Sequence, residues 1–305
     1  MRKTALLVLV SIASAQTGSA FARTLFDDLG AAGVTVLRLA IGSVVLALLT
    51  RPRLRTWPAA SWRAAILLGA AIAGLNLNSY LALRTVPLGV CVPVTFIGPL
   101  LLVLVQTRRL VDLVWALLAG GGVALLGLSP GVSAPIGGLL LALCAGLCGA
   151  GYIFFSARLG GLVPGAGGLP VSLAVGFLVV LPFGASGASA VFTHPALLLG
   201  GAVVALLSGV VPAGLEINVL RHLPTRVFAV LMSLQPAGGA LAGWLVLRQR
   251  LGPPELTALA MVTLASIGVT LTHRPTAGPA GGGTVTMTHR KSEATAAAVE
   301  QDREA

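Results

Sequence analysis

Few side chains in this chain can do chemistry, and those that can sit inside long apolar runs. Glu216 is the only carboxylate well inside such a run. There it can exchange protons, hold a gate, or form a salt bridge with Arg221 or Arg226, and Pro212 and Gly214 just before it are expected to loosen that helix locally. Arg38 lies some seven residues into another run, roughly 10 Å deep at 1.5 Å per residue. It can snorkel outward, pair with Asp27 or Asp28, or grip a substrate carboxylate through two parallel N–H bonds. Asn76 and Tyr80 are four apart and share a helix face, while Asn78 points elsewhere. Gln16, Thr95 and Gln235 complete the polar set. Thr95 stands four residues before Pro99, and Gln235 stands next to Pro236. A proline leaves the carbonyl four residues earlier without its donor. The carbonyls of Thr95 and Met232 are therefore expected to be free for substrate or water, with Pro99 and Pro236 as hinges; a simple kink is equally compatible. For every neutral polar residue the competing role is helix-to-helix hydrogen bonding.

Other chemistries are unsupported. There is no Ser/His/Asp grouping, and no glycine spacing matches a phosphate loop, so neither an enzyme nor ATP-driven transport is indicated. Cys91, Cys144 and Cys148 lie inside apolar runs, and packing is a better role for them than metal or redox chemistry. No metal site and no cofactor are expected. The net charge of +11 comes from short basic clusters between apolar runs, without the interleaved aromatics of a nucleic-acid face.

What must position the polar set is a membrane bundle. The chain is 56% hydrophobic and 10% charged, against about 25% charged for a soluble domain. The runs are near twenty residues long, which suits a hydrocarbon core of about 30 Å. They fall at about 4–22, 31–49, 62–83, 88–106, 111–128, 136–157, 168–183, 197–220, 226–247 and 254–272. The first also resembles a signal peptide, with a basic start and a small-residue end, but a retained span is favoured. Between the third and fourth runs stands Leu83-Arg84-Thr85-Val86-Pro87, echoed 137 residues later by Leu220-Arg221-His222-Leu223-Pro224. In both copies another proline follows twelve residues on, at Pro99 and Pro236. The echo predicts two related five-helix halves, 4–128 and 136–272. The polar, glycine-rich stretch 273–305 is read as a disordered tail. With the N-terminus inside, Arg2, Lys3, Arg51, Arg53, Arg55, Arg63, Arg108, Arg109, Arg158, Arg221, Arg226 and Arg274 lie at inner ends. Only Arg23, Arg84, Arg248 and Arg250 lie at outer ends, so both termini are placed in the cytoplasm. Five spans per half then turn one half upside down relative to the other. The fold class expected is an all-α polytopic membrane protein, ten transmembrane helices as two inverted five-helix repeats. Gly120-Gly121-Gly122, Gly137-Gly138, Gly146, Gly149 and Gly151 are read as close-packing positions.

Several segments carry a family resemblance. They are Ala13-Ser14-Ala15-Gln16-Thr17-Gly18, Val36-Leu37-Arg38-Leu39-Ala40, Arg84-Thr85-Val86-Pro87-Leu88-Gly89, Phe96-Ile97-Gly98-Pro99-Leu100, Gly151-Tyr152-Ile153-Phe154, Leu215-Glu216, Leu223-Pro224-Thr225-Arg226 and Leu231-Met232-Ser233-Leu234-Gln235-Pro236-Ala237. Over roughly residues 4–272 the chain resembles the EamA group of the drug/metabolite transporter superfamily, and within it the bacterial threonine/homoserine exporter type. The resemblance implies ten spans, an inverted repeat and ion-coupled export of small amino acids or related metabolites from the inner membrane. The implied site lies where the halves meet, lined by Gln16, Arg38, Asn76, Tyr80, Thr95, Tyr152 and Gln235, with Glu216 for proton coupling or gating. Such exporters look as if they carry glutamates where this chain has Thr95 and Gln235, neither of which can titrate. The alternatives are transport of another metabolite or drug in either direction, or a non-transporting membrane scaffold.

Overall fold

In the computed structural model, residues 2–52, 54–107, 110–128, 135–163, 167–220 and 225–272 are described. All regular structure among them is helical: α1 (Arg2–Thr24), α2 (Phe26–Thr50), α3 (Ala59–Ala82), α4 (Leu88–Thr107), α5 (Leu110–Leu128), α6 (Ile136–Leu162), α7 (Gly168–Ala188), α8 (Ala196–Ala205), α9 (Val211–Leu220), α10 (Thr225–Met232), α11 (Gln235–Leu247) and α12 (Pro253–Thr272), with short 3₁₀ turns and one π-turn. Eight segments are long and apolar enough to cross a membrane, and two shorter apolar ones lie at Leu88–Leu102 and Leu113–Leu126. Outward faces carry exposed Leu48, Leu49, Leu117, Leu199 and Phe192. Such a surface belongs in lipid, which helices can face because their backbone groups are largely paired internally. The protein is a multi-pass membrane protein.

The first Leu-Arg-x-x-Pro stretch is the turn that ends α3 and opens α4, closed by Arg84 N–H to Leu81 O (3.2 Å) and Val86 N–H to Ala82 O (2.8 Å). Arg23 at the end of α1 donates to the Arg84 carbonyl at 3.2 Å. The echo at 221–224, the loops at 108–109 and 129–134, and the tail 273–305 lie outside the described residues.

Packing joins the two parts of the chain throughout. α2 packs on α7, α3 on α6 and α7, α4 on α6 and α11, α5 on α12, and α1 on α9 and α11. α4 crosses α6 closely. There Gly98 lies directly against the Gly146 backbone, and a Cβ at Gly146 would strike the Thr95 carbonyl oxygen. The close-packing role holds at Gly138 and Gly146, whereas Gly120 and Gly137 face open space.

In α2 the non-helical Gly30, at φ 67°, sets a short first turn with Asp27 and Asp28 apart from the continuous helix, which begins near 31 as expected. Two spans differ from their expected form. The run 197–220 is not one regular helix, since the π-turn Leu206–Val210 separates α8 from α9. The run 226–247 is broken at Ser233-Leu234, and Pro236 sits in the first turn of α11, where its missing N–H is harmless. Pro99 stays inside α4, together with Pro93.

Candidate functional site

A cavity of about 380 Å³ opens between α1, α2, α3, α4, α6, α7, the α8–α9 rod and the α10–α11 break. Its lining includes Gln16, Arg38, Asn76, Tyr80, Thr95, Tyr152, Glu216 and Gln235. Sequence regions 4–128 and 136–272 both contribute walls. Pro99 and Pro236 are not in the lining.

Arg38 neither snorkels nor pairs with Asp27 or Asp28. Its Nη1 donates to Tyr80 Oη at 3.0 Å, and its Nη2 donates to the Ser208 carbonyl at 2.8 Å. The guanidinium carbon also lies 5.6 Å from the Tyr80 ring centroid, and that ring packs on Phe26. Tyr80 is fully buried, so it is a fixed post. Both acceptors are neutral, and neither cancels the positive charge.

The π-turn explains why two backbone oxygens are available here. Val211 N–H bonds to Leu206 O, one residue further back than in an α-helix. That leaves the Leu207 carbonyl without its usual donor, and Ser14 Oγ of α1 donates to it at 2.7 Å. The next carbonyl, Ser208, would be served by residue 212, which is a proline and has no N–H. Arg38 takes that oxygen. Helices α1 and α2 are thus tied to one irregular turn of the α8–α9 rod.

Glu216 Oε1 accepts from Ser11 Oγ at 3.0 Å. The expected salt-bridge partners do not enter this picture: Arg221 lies outside the described residues, as does the Arg226 side chain. Asn76 is buried, and its Nδ2 donates to Ile72 O at 2.8 Å. Asn78 Nδ2 donates to Gly74 O at 2.7 Å and takes no part in the lining, in keeping with its place on another face. Thr95 Oγ1 donates to Cys91 O at 2.9 Å. The carbonyl of Thr95 is not presented to a ligand; Gly146 packs against it. Gln235 Nε2 reaches Met232 Sδ at 3.8 Å, bridging the break between α10 and α11. Among the described residues no group of three or more His, Cys, Asp or Glu could hold a metal.

Sequence reasoning missed Ser11, Ser14 and Ser208; it read Pro212 as loosening the helix, and the irregular turn does lie just before it, but not as freeing the Ser208 carbonyl. The signal for Pro212 was present: Ser208 precedes it by four, the same relation that singled out Thr95 with Pro99.

The profile of the EamA-like transporter family matches residues 136–271. The threonine/homoserine exporter RhtA of Escherichia coli (strain K12) is 41% identical over 276 residues, covering 88% of this chain and 91% of its own. The chain belongs to the EamA-like transporter family. The threonine/homoserine exporter RhtA of Salmonella typhimurium (strain LT2) is 40% identical over 277 residues, covering 88% of this chain and 92% of its own. A protein crystal structure with 16% identity has a TM-score of 0.56, covering 88% of this chain and 98% of its own, and shows the likeness of fold alone. As a family member the chain is a small-molecule transporter.

Proposed function

We propose that the protein exports small amino acids of the threonine/homoserine type, or related metabolites, across the bacterial inner membrane by alternating access. The carrying observation is the cavity. It places a guanidinium and a carboxylate in one apolar-walled space, each held by neutral partners. The carboxylate of an amino acid complements the guanidinium, and the Glu216 carboxylate is left to exchange protons. Arg38 takes the substrate carboxylate in bidentate fashion. Asn76, Gln16, Thr95, Tyr152 and Gln235 supply neutral bonds to the rest of the substrate. A volume of about 380 Å³ suits a small metabolite, near the lower end of the usual range of about 300–1,000 Å³. The substrate named for the two relatives favours the same class.

Ten spans in two inverted halves provide the moving parts. The helix packing supports this reading. If α1 to α5 correspond in order to α6, α7, α8–α9, α10–α11 and α12, then α2 on α7, α4 on α11 and α5 on α12 pair equivalent spans. The contact of α3 with α6 likewise corresponds to that of α8–α9 with α1. An approximate twofold exchange leaves these pairings unchanged. An odd number of spans per half then requires inversion. Pro99 and the break before Pro236 occupy equivalent spans and serve as hinges. Both termini face the cytoplasm by the Lys/Arg bias, and Glu216 is the group that couples substrate to protons.

Proteoliposomes loaded with a panel of radiolabelled amino acids, with imposed pH and sodium gradients, test the reading. Threonine and homoserine should move faster than in empty liposomes, and more so with a gradient. Equal flux with and without protein across the whole panel would reject export of amino acids. Neutral Thr95 and Gln235 favour a related metabolite if threonine and homoserine alone fail.

Within the site, Asn76→Leu should raise KM about tenfold, as expected for one lost hydrogen bond worth about 1.4 kcal/mol. Asn78→Leu should leave KM unchanged, since Asn78 does not line the cavity. Comparing the two KM values checks the assignment of this helix face.

A further inference from the structure

We propose that Pro212 is a positioning residue for the substrate carboxylate: by withholding an N–H from the Ser208 carbonyl, it keeps that oxygen for Arg38 and so aims the guanidinium into the cavity. The inference rests on the reading of Arg38 as the carboxylate's partner. Its geometric basis is independent of that reading. Ser208 O accepts from Arg38 Nη2 at 2.8 Å, and Tyr80 Oη accepts from Nη1 at 3.0 Å. Two bonds from different nitrogens of a planar group fix the plane of the guanidinium. A guanidinium has five N–H donors, so three remain for a ligand. Arg38, Tyr80, Ser208 and Pro212 all line the cavity.

A competing role for Pro212 is a hinge of the α8–α9 rod. The two roles separate experimentally. Pro212→Ala restores an N–H in register with Ser208 O, and alanine is favourable in a helix, so the variant should fold. The returned N–H competes with Arg38 for the oxygen. The probes are threonine and threoninamide, which share the ammonium and side chain but differ in the carboxylate. Both are read as competitors of radiolabelled threonine in proteoliposomes. Pro212→Ala should weaken threonine about tenfold, with the change in KM rather than kcat, and leave threoninamide unchanged. A hinge would shift both probes together, and that result, or no shift, overturns the inference. Arg38→Ala distinguishes the underlying reading. If it leaves the preference for threonine over threoninamide intact, the assignment of Arg38 falls. If it abolishes the preference while Pro212→Ala preserves it, only the role of Pro212 falls. Side-chain ¹⁵N NMR of Arg38 needs no substrate. Rotation of its Nη2 group should be hindered in the parent protein and free in Pro212→Ala, and equal rotation in both overturns the proposal.

Discussion

Replacing Glu216 by Gln should abolish gradient-driven export while leaving substrate exchange intact. The expectation follows from the inventory of the cavity. Among the described residues Glu216 is the only carboxylate in its lining, and the polar positions Thr95 and Gln235 cannot gain or lose a proton. Proton coupling through a cavity carboxylate must therefore pass through this side chain. A glutamine has the same shape, and its amide oxygen can still accept the 3.0 Å bond that Ser11 donates to Oε1. The variant should fold and bind substrate. Counterflow, with labelled and unlabelled substrate on opposite sides and no ion gradient, needs no proton transfer and should continue. Efflux under an imposed pH gradient should fall to the level without a gradient. If gradient-driven efflux persists in Glu216→Gln, the coupling group lies elsewhere. If counterflow also stops, Glu216 binds substrate rather than coupling it.

The sequence indicates this site because intramembrane polarity is costly and therefore rare. Once the apolar runs are drawn, Gln16, Arg38, Asn76, Tyr80, Thr95, Glu216 and Gln235 stand out against them. The structure brings all of these to one cavity, together with Tyr152. What each side chain touches was less legible. Arg38 has two aspartates ten and eleven residues away in sequence, yet its partners are 42 and 170 residues distant. No local pattern encodes a bond to a backbone oxygen of a remote helix. Hydropathy also smooths over breaks. Leu206–Val210 and Ser233-Leu234 fall inside runs that are apolar over their length, so the π-turn and the break leave no trace in a run-length reading. Proline offered a sharper signal, but its outcome depended on context. The same offset of four gives a carbonyl held by Arg38 at Ser208 and one covered by Gly146 at Thr95. Which carbonyl stays open is decided by the helix packed against it.

That last dependence makes the α4–α6 crossing a sensitive place in the bundle. Gly146→Val should prevent accumulation of folded protein. A side chain there meets the Thr95 carbonyl and comes within 3.1 Å of the Gly98 nitrogen even at its Cβ. Those are backbone atoms of another helix and cannot rotate aside. Overpacking of side chains ordinarily costs about 1–3 kcal/mol, and a clash with backbone exceeds that range unless the helices separate. Separation would move Thr95 away from the cavity and loosen α4, whose first N–H is held by Gln249 Oε1 at 3.0 Å. The loss should therefore appear both as reduced thermal stability in detergent and as lost transport by whatever protein survives. Gly137→Val is the matched control, because a Cβ there meets nothing within 4 Å. It adds the same volume to the same helix and should be tolerated. Equal stability of the two variants would show that α4 and α6 can part without cost, and the cavity could not then be held in place by this crossing.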